Sequence, residues 1–421
     1  MAWLAILSAL AGGTALAGFL ERSWSWPVRV AAGVPLGLAV LGLTGFPLAS
    51  RLGLGTPALL GATALTLLPA LALLAPRLRA SWWPPAAREH RRQGWVEAAA
   101  FALAGLAFVM VMDRAMLSSE RGIGFGAEHN YGDLPFHLAV VSGFAWGDNY
   151  PPEHPELARA RLTYPFLLDF GAAQLVAGGL GLHDSLRLQN ALLALALLVL
   201  AHLWGLGHTG DRRAALFAPA LLLLSGGLGF VAFAQDALHS GRGLGLLLEL
   251  PRDYTIWREG GLRFGNLITT MLIPQRALLL GLPLTLPAWS LLWRAVDPQS
   301  DPALARRRGL CAGLVAGLLP LAHAHSYAVA LSVGGALLLL FPARRPAVGR
   351  FLAAALLLGG PQAAWLAQGS ALQAGGFVGL AFGWDHGDLP PLWFWLVNAG
   401  PFLTLWLVAL LRPGWTTRAQ Q

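Results

Sequence analysis

Residues 2–20 read AWLAILSALAGGTALAGFL, nineteen residues without a charged side chain. At 1.5 Å per residue a helix of that length reaches about 28 Å, close to the roughly 30 Å of a bilayer's hydrocarbon layer. Segments 28–48, 57–74, 96–112, 186–205, 214–234 and 392–411 are similar in length and nearly as free of charge. The whole chain is 56% hydrophobic and only 12% charged. Lipid offers no partner to a bare amide, so such runs must close their own hydrogen bonds as helices. The sequence therefore predicts an all-α, polytopic membrane protein and excludes a soluble helical one. Segment 2–20 has no basic residues ahead of it, so a retained helix is expected despite the cleavage-like Ala15-Leu16-Ala17.

All 29 basic residues are arginine. They are dispersed among loops rather than gathered on one face, which fits a topology signal and not a nucleic-acid surface. The absence of lysine removes Schiff-base chemistry. The single cysteine, Cys311, excludes an internal disulfide and a thiolate metal site.

Arginine placement orders the loops. Arg77, Arg79, Arg88, Arg91 and Arg92 mark an inner loop, so 113–164 lies outside. Residues 165–180 are short for a crossing, carry Asp169 and Gln174, and read as a juxtamembrane or re-entrant element. Segment 186–205 then returns inward to Arg212-Arg213, and 214–234 leads to a second outer loop, 235–266. Segment 267–293 ends at the inner Arg294. The run 309–341 is broken by His323-Ala324-His325-Ser326, which predicts two helices hinged in an outward recess. Residues 369–391 form a third outer loop, and 392–411 returns inside. The result is about eleven crossings. They fall into N-terminal helices (1–95), a core (96–293) with its outer loop at 113–185, and C-terminal helices (294–421) hinged at 323–326. Most of the 21 acidic residues fall on the outer side, although only arginine was used to assign sides. No internal repeat of the transporter kind is visible.

The outer loop contains EHNYGDLPFH, residues 128–137. If a helix starts at Asp133, Pro135 sits in its first turn, where proline is tolerated, and Asp133 and His137 share a face. That pair suits a general base with an orienting imidazole, or two ligands of a divalent cation such as Mg or Mn. Asp133 as a plain helix cap with His137 in solvent remains the alternative. Apolar neighbours such as Phe136, Val140 and Phe144 would lie along the membrane interface. His154 follows on a proline-rich, extended path and approaches the same face or stays an exposed loop residue. Tyr164 opens the juxtamembrane element. His323 and His325, at an intramembrane break, either meet a ligand's phosphate or bond the broken helix ends. Arg276, beside Gln275 and Pro274, suits a phosphate, with snorkelling to the interface as the alternative.

This layout resembles the GT-C superfamily of integral-membrane glycosyltransferases, which includes protein O-mannosyltransferases and aminoarabinose transferases. The likeness rests on Gly132-Asp133-Leu134-Pro135-Phe136-His137, on Tyr164-Pro165-Phe166-Leu167, and on the run from Leu182 to Leu192 ahead of a long apolar helix. It covers roughly 96–293. It implies an outward active site and a polyprenyl-phosphate sugar donor. The acceptor would be a glycan, lipid or protein whose hydroxyl is activated by an acidic residue, here Asp133. Many members carry two adjacent acidic residues there, whereas this chain has Leu134 second. Arg276, His323 and His325 would meet the donor phosphate, with Tyr164 and His154 nearby. The expected location is the bacterial cytoplasmic membrane with the site facing outward. A transporter and a non-catalytic GT-C-like protein are the rival expectations.

Overall fold

The structure, a computed structural model, describes residues 1–82, 94–127, 130–368 and 385–411. Glu128, His129, Arg88, Arg91, Arg92 and the C-terminal end lie outside the described residues. In chain order the helices are α1 (Ala2–Leu20), α2 (Trp26–Leu52), α3 (Thr56–Leu71), α4 (Pro76–Trp82), α5 (Gly94–Arg114), α6 (Asp133–Trp146), α7 (Leu167–Ala177) and α8 (Leu182–Thr209). They continue with α9 (Arg212–Leu223), α10 (Gly229–His239), α11 (Arg276–Val296), α12 (Pro302–Ala316), α13 (Ala324–Leu340), α14 (Arg345–Leu366), α15 (Pro391–Ala399) and α16 (Pro401–Leu411). Among the described residues six helical spans are long and apolar enough to cross a membrane: Ala2–Leu20, Trp26–Leu52, Thr56–Leu74, Leu182–Thr209, Arg276–Val296 and Pro342–Leu366. A seventh follows if α15 and α16, bent by 92°, count as one. The chain is a mostly helical membrane protein.

The departures from expectation have local causes. Segment 214–234 is two helices, because Ser225-Gly226-Gly227 interrupts the apolar run. Segment 267–293 becomes helical in α form only at Arg276. Pro274 lacks an amide hydrogen and disfavours helix just before it. The terminal pair bends at Gly400, whose φ of 53° lies in the left-handed region. The break between α12 and α13 lies at 317–323, just ahead of the expected hinge. Two antiparallel hairpins also appear in the loop expected on the outer side, β1 (Met116–Ser119) with β2 (Gly122–Phe125) and β3 (Glu153–His154) with β4 (Leu157–Arg161).

Two compact units divide the chain: Met1–Pro219 with Ile273–Gly375, and Ala220–Leu272 with Gly376–Gln421. In the first, α1 and α2 meet through small residues. A Cβ on Gly37 would overlap the Ala9 carbonyl, and one on Gly13 would overlap the Gly33 carbonyl. Such spacing lets backbones approach closely, which is the main source of helix attraction in lipid. Gly37→Leu is expected to lower stability by about 1–3 kcal/mol, since backbone must shift. Gly349→Ala, where a Cβ meets nothing within 4 Å, should be neutral or stabilise by roughly 0.5–1 kcal/mol. Melting midpoints of the two variants in one detergent check this contrast, and equal midpoints would refute it.

The helix that positions the site is α7. It has 11 residues, and residues 167–176 are all buried. It sits in a slot where Gly42 of α2 meets Leu167 and Gly45 meets the Gln174 amide. On its other side its own Gly171 leaves room for Gln189 of α8. Rings lock the slot: Phe46 of α2 packs on Phe166 and Phe170, at 4.9 and 5.5 Å between centroids, and on Phe144 of α6 at 6.2 Å. The face of α6 carrying Val140, Val141 and Phe144 is therefore buried in protein rather than laid on lipid.

The second unit is organised by Asn398, 4% exposed. Its side-chain oxygen accepts from the amides of Arg263 and Phe264, at 2.7 and 3.1 Å. Its nitrogen donates to the carbonyls of Gly261 and Phe394. Arg263 pairs with Asp385 at 2.6 Å, which joins the expected second and third outer loops.

Candidate functional site

Three consecutive residues, Pro274, Gln275 and Arg276, bring distant parts of the first unit to one place. The Asp169 carboxylate, on α7, is 1% exposed. Its Oδ2 lies 2.7 Å from His137 Nδ1 of α6, and its Oδ1 accepts from Arg276 Nε at 2.9 Å. Arg276 also donates from Nη1 to Asn190 Oδ1 at 2.6 Å and from Nη2 to Gln189 Oε1 at 2.9 Å, both on α8. His137 Nε2 lies 3.0 Å from the Pro274 carbonyl oxygen. A carbonyl only accepts, so Nε2 carries a hydrogen. An ionised carboxylate only accepts too, so an imidazolium satisfies both bonds.

Burial alone would raise the Asp169 carboxyl, yet His137 and Arg276 beside it hold it below the usual carboxylate range. The three side chains form a buried cluster with one anion between two cationic partners, and the α8 amides complete the guanidinium's shell. The adjoining cavity, of about 10 Å³, is lined by Asn130, Leu134, His137, Asn190 and Arg276 among others. That is room for about one water molecule. The cluster is thus a sealed brace and not an open pocket.

Asp133 lies outside this seal. It starts α6, with Pro135 in the first turn as the sequence predicts, and is half-buried. Gln275 donates from Nε2 to Asp133 Oδ1 at 3.3 Å, while its Oε1 accepts from the Tyr164 hydroxyl at 3.3 Å. One amide therefore holds the carboxylate and the phenol together. Burial pushes the Asp133 carboxyl up, and His137 opposes only in part. Burial, with Asp169 and Asp133 nearby, also raises the Tyr164 phenol. Phe136 packs between them, 5.2 Å from the Tyr164 ring and 5.5 Å from that of His154. His154 Nδ1 accepts the Glu156 amide within the second hairpin.

The expected residues thus divide. Asp133, Tyr164 and His154 gather around Phe136 and Gln275. His137 and Arg276 are turned inward, 1% and 3% exposed, so a phosphate reaches Arg276 only by displacing Asp169, Asn190 or Gln189. Both His137 nitrogens are engaged, by Asp169 and by the Pro274 carbonyl, so pairing with Asp133 around a cation would require one of these bonds to open. No group of three or more His, Cys, Asp or Glu among the described residues is arranged to hold a metal. His323 caps α13: its Nδ1 accepts the Ser326 amide at 3.2 Å and lies 2.8 Å from the Ser326 hydroxyl. With Nδ1 accepting, the ring carries its hydrogen on Nε2, which can donate to a ligand. His323 also packs against Gly281 of α11, five residues beyond Arg276. His325 is exposed, its ring 5.4 Å from that of His323.

The sequence reading did not single out Asp169 or the pair Gln189-Asn190. The one available signal was an acid in an apolar run too short to cross a membrane. Comparison with protein-family models, with curated proteins and with solved structures gave no match.

Proposed function

We propose that the chain is a GT-C-like membrane glycosyltransferase that moves a sugar from a polyprenyl-phosphate carrier to an acceptor hydroxyl outside the bacterial cytoplasmic membrane. On this reading the shorter helices complete about eleven crossings, with the Arg-rich loops inside. The observation that carries the reading is Asp133. It is a half-buried carboxylate with a raised proton affinity, held by Gln275, which in turn accepts from Tyr164. Asp133 takes the acceptor's proton as the oxygen attacks the anomeric carbon. The bond from that carbon to the carrier phosphate breaks, and the phosphate leaves with the electron pair. Tyr164 and His154 frame the acceptor. His323 and His325 serve the phosphate by hydrogen bonding. Arg276 braces Asp169 and contributes its charge from behind.

The rival with its own support is a proton-coupled transporter, because ionisable groups buried among helices commonly mark transport paths. The buried His137–Asp169–Arg276 cluster is such a group. Reconstituted protein supplied with labelled polyprenyl-phosphate sugar separates the two. Transfer that disappears in Asp133→Asn, with normal insertion, supports the enzyme; full transfer in that variant would sink Asp133 as the base.

A further inference from the structure

The first unit holds a second, larger cavity, of about 350 Å³, at the far end of α11. Arg294 there is eighteen residues beyond Arg276, about 27 Å along a helix axis. The start of α2 and the last turns of α8 and α11 enclose it. Its inner walls are apolar: Val28 and Ala32 of α2, Leu200 and Leu203 of α8, and Leu286 of α11. Its other lining residues include Arg294, His208, Ser23 and Ser25. The lining contains no carboxylate. Arg294 donates from Nη1 to Ser23 Oγ at 3.0 Å and has no ion pair among the described residues. Ser25 is the cap of α2 and makes no side-chain capping bond, so the helix's positive end adds to the same potential. His208 lies between the indoles of Trp204 and Trp293, at 4.1 and 5.4 Å.

We propose that this cavity binds one anionic phospholipid. Its phosphate would sit at Arg294 and the start of α2, with an acyl chain along Leu286, Leu200 and Leu203. A soluble anion would leave walls extending two helical turns from Arg294 in contact with water, at an energetic cost. The Glu21 carboxylate behind Ser23 is already paired with Arg308 at 2.7 Å, so a neutral lipid would leave Arg294 to share a counter-charge that another arginine holds. Both α8 and α11 are long enough to span a membrane, and tryptophans at helix ends mark the depth of lipid head groups. The site is independent of the proposed transfer chemistry and lies at the opposite end of α11. Bound lipid would stabilise the folded chain by mass action.

The test uses the full chain, purified in neutral detergent and stripped of lipid. It is then supplied with phosphatidylglycerol, phosphatidylcholine or inorganic phosphate. Native mass spectrometry counts retained lipid, and melting reports its effect. A single retained phosphatidylglycerol is expected, bound roughly tenfold more tightly than phosphatidylcholine, with Arg294→Gln erasing that preference. Gly207→Leu provides the second variant. Gly207 lines the cavity and a Cβ there meets nothing within 4 Å, so retention should fall while the lipid-free melting point stays unchanged. Equal retention of the two lipids, unchanged preference in Arg294→Gln, or a full melting shift with inorganic phosphate alone would each overturn the proposal.

Discussion

Asp169→Asn is expected to destabilise the chain by about 3–5 kcal/mol, the usual cost of removing one partner from a buried charged group. The substitution is nearly isosteric, so the loss is electrostatic and not a packing defect. It leaves His137 and Arg276 facing each other across an amide that can accept from only one of them well. The effect should depend on pH in a defined direction. The Asp169 carboxyl is held below its ordinary value, so it contributes stability above the unfolded pKa of about 3.9 and loses it as pH falls through the folded value. Wild type should show an acid limb below about pH 4 that Asp169→Asn lacks. Unfolding midpoints from pH 3 to 7 in one detergent measure both effects. A variant within about 0.5 kcal/mol of wild type at neutral pH would show that the cluster braces nothing.

If the proposed transfer reaction holds, Asp133→Asn should have the opposite character, with little change in stability and a loss of about 10²–10⁴ in turnover, the usual contribution of a general base. Asp133 is half-buried and shares one long hydrogen bond with Gln275, so an amide fits its place. The loss should appear in turnover and not in donor affinity, because the base acts as the proton moves. The raised Asp133 carboxyl must be ionised to act. Transfer should therefore rise with pH through a midpoint above the ordinary value of about 3.9. Kinetics with a saturating lipid-linked donor test this, and an acid limb at or below the ordinary value would contradict the base.

The sequence and the structure agree best where local rules suffice. The span at 2–20 is α1 to the residue, since an apolar run of that length in lipid has one solution. The start of α6 at Asp133 follows from Gly132 and Pro135 in the same way. Hydropathy does not see geometry, so the 92° bend at Gly400 was hidden inside one continuous apolar run. The site was legible only in part for a related reason. Asp133 announces itself by its helix position, whereas Asp169 takes meaning from His137, 32 residues away, and Arg276, 107 residues away. No local pattern encodes pairings over those distances. Arg276, chosen from sequence as a phosphate contact, has its donors taken up by Asp169, Asn190 and Gln189.

The enclosed α7 also constrains biogenesis. An 11-residue helix bearing an acid is too short for the insertion machinery to leave across the bilayer by itself. It must wait beside the membrane until α2 and α8 offer their slot. The last partner of its acid, Arg276, is synthesised 107 residues after it. Chains truncated before α11 should therefore keep α7 undocked and open to protease, and α11 should act as the latch that completes assembly.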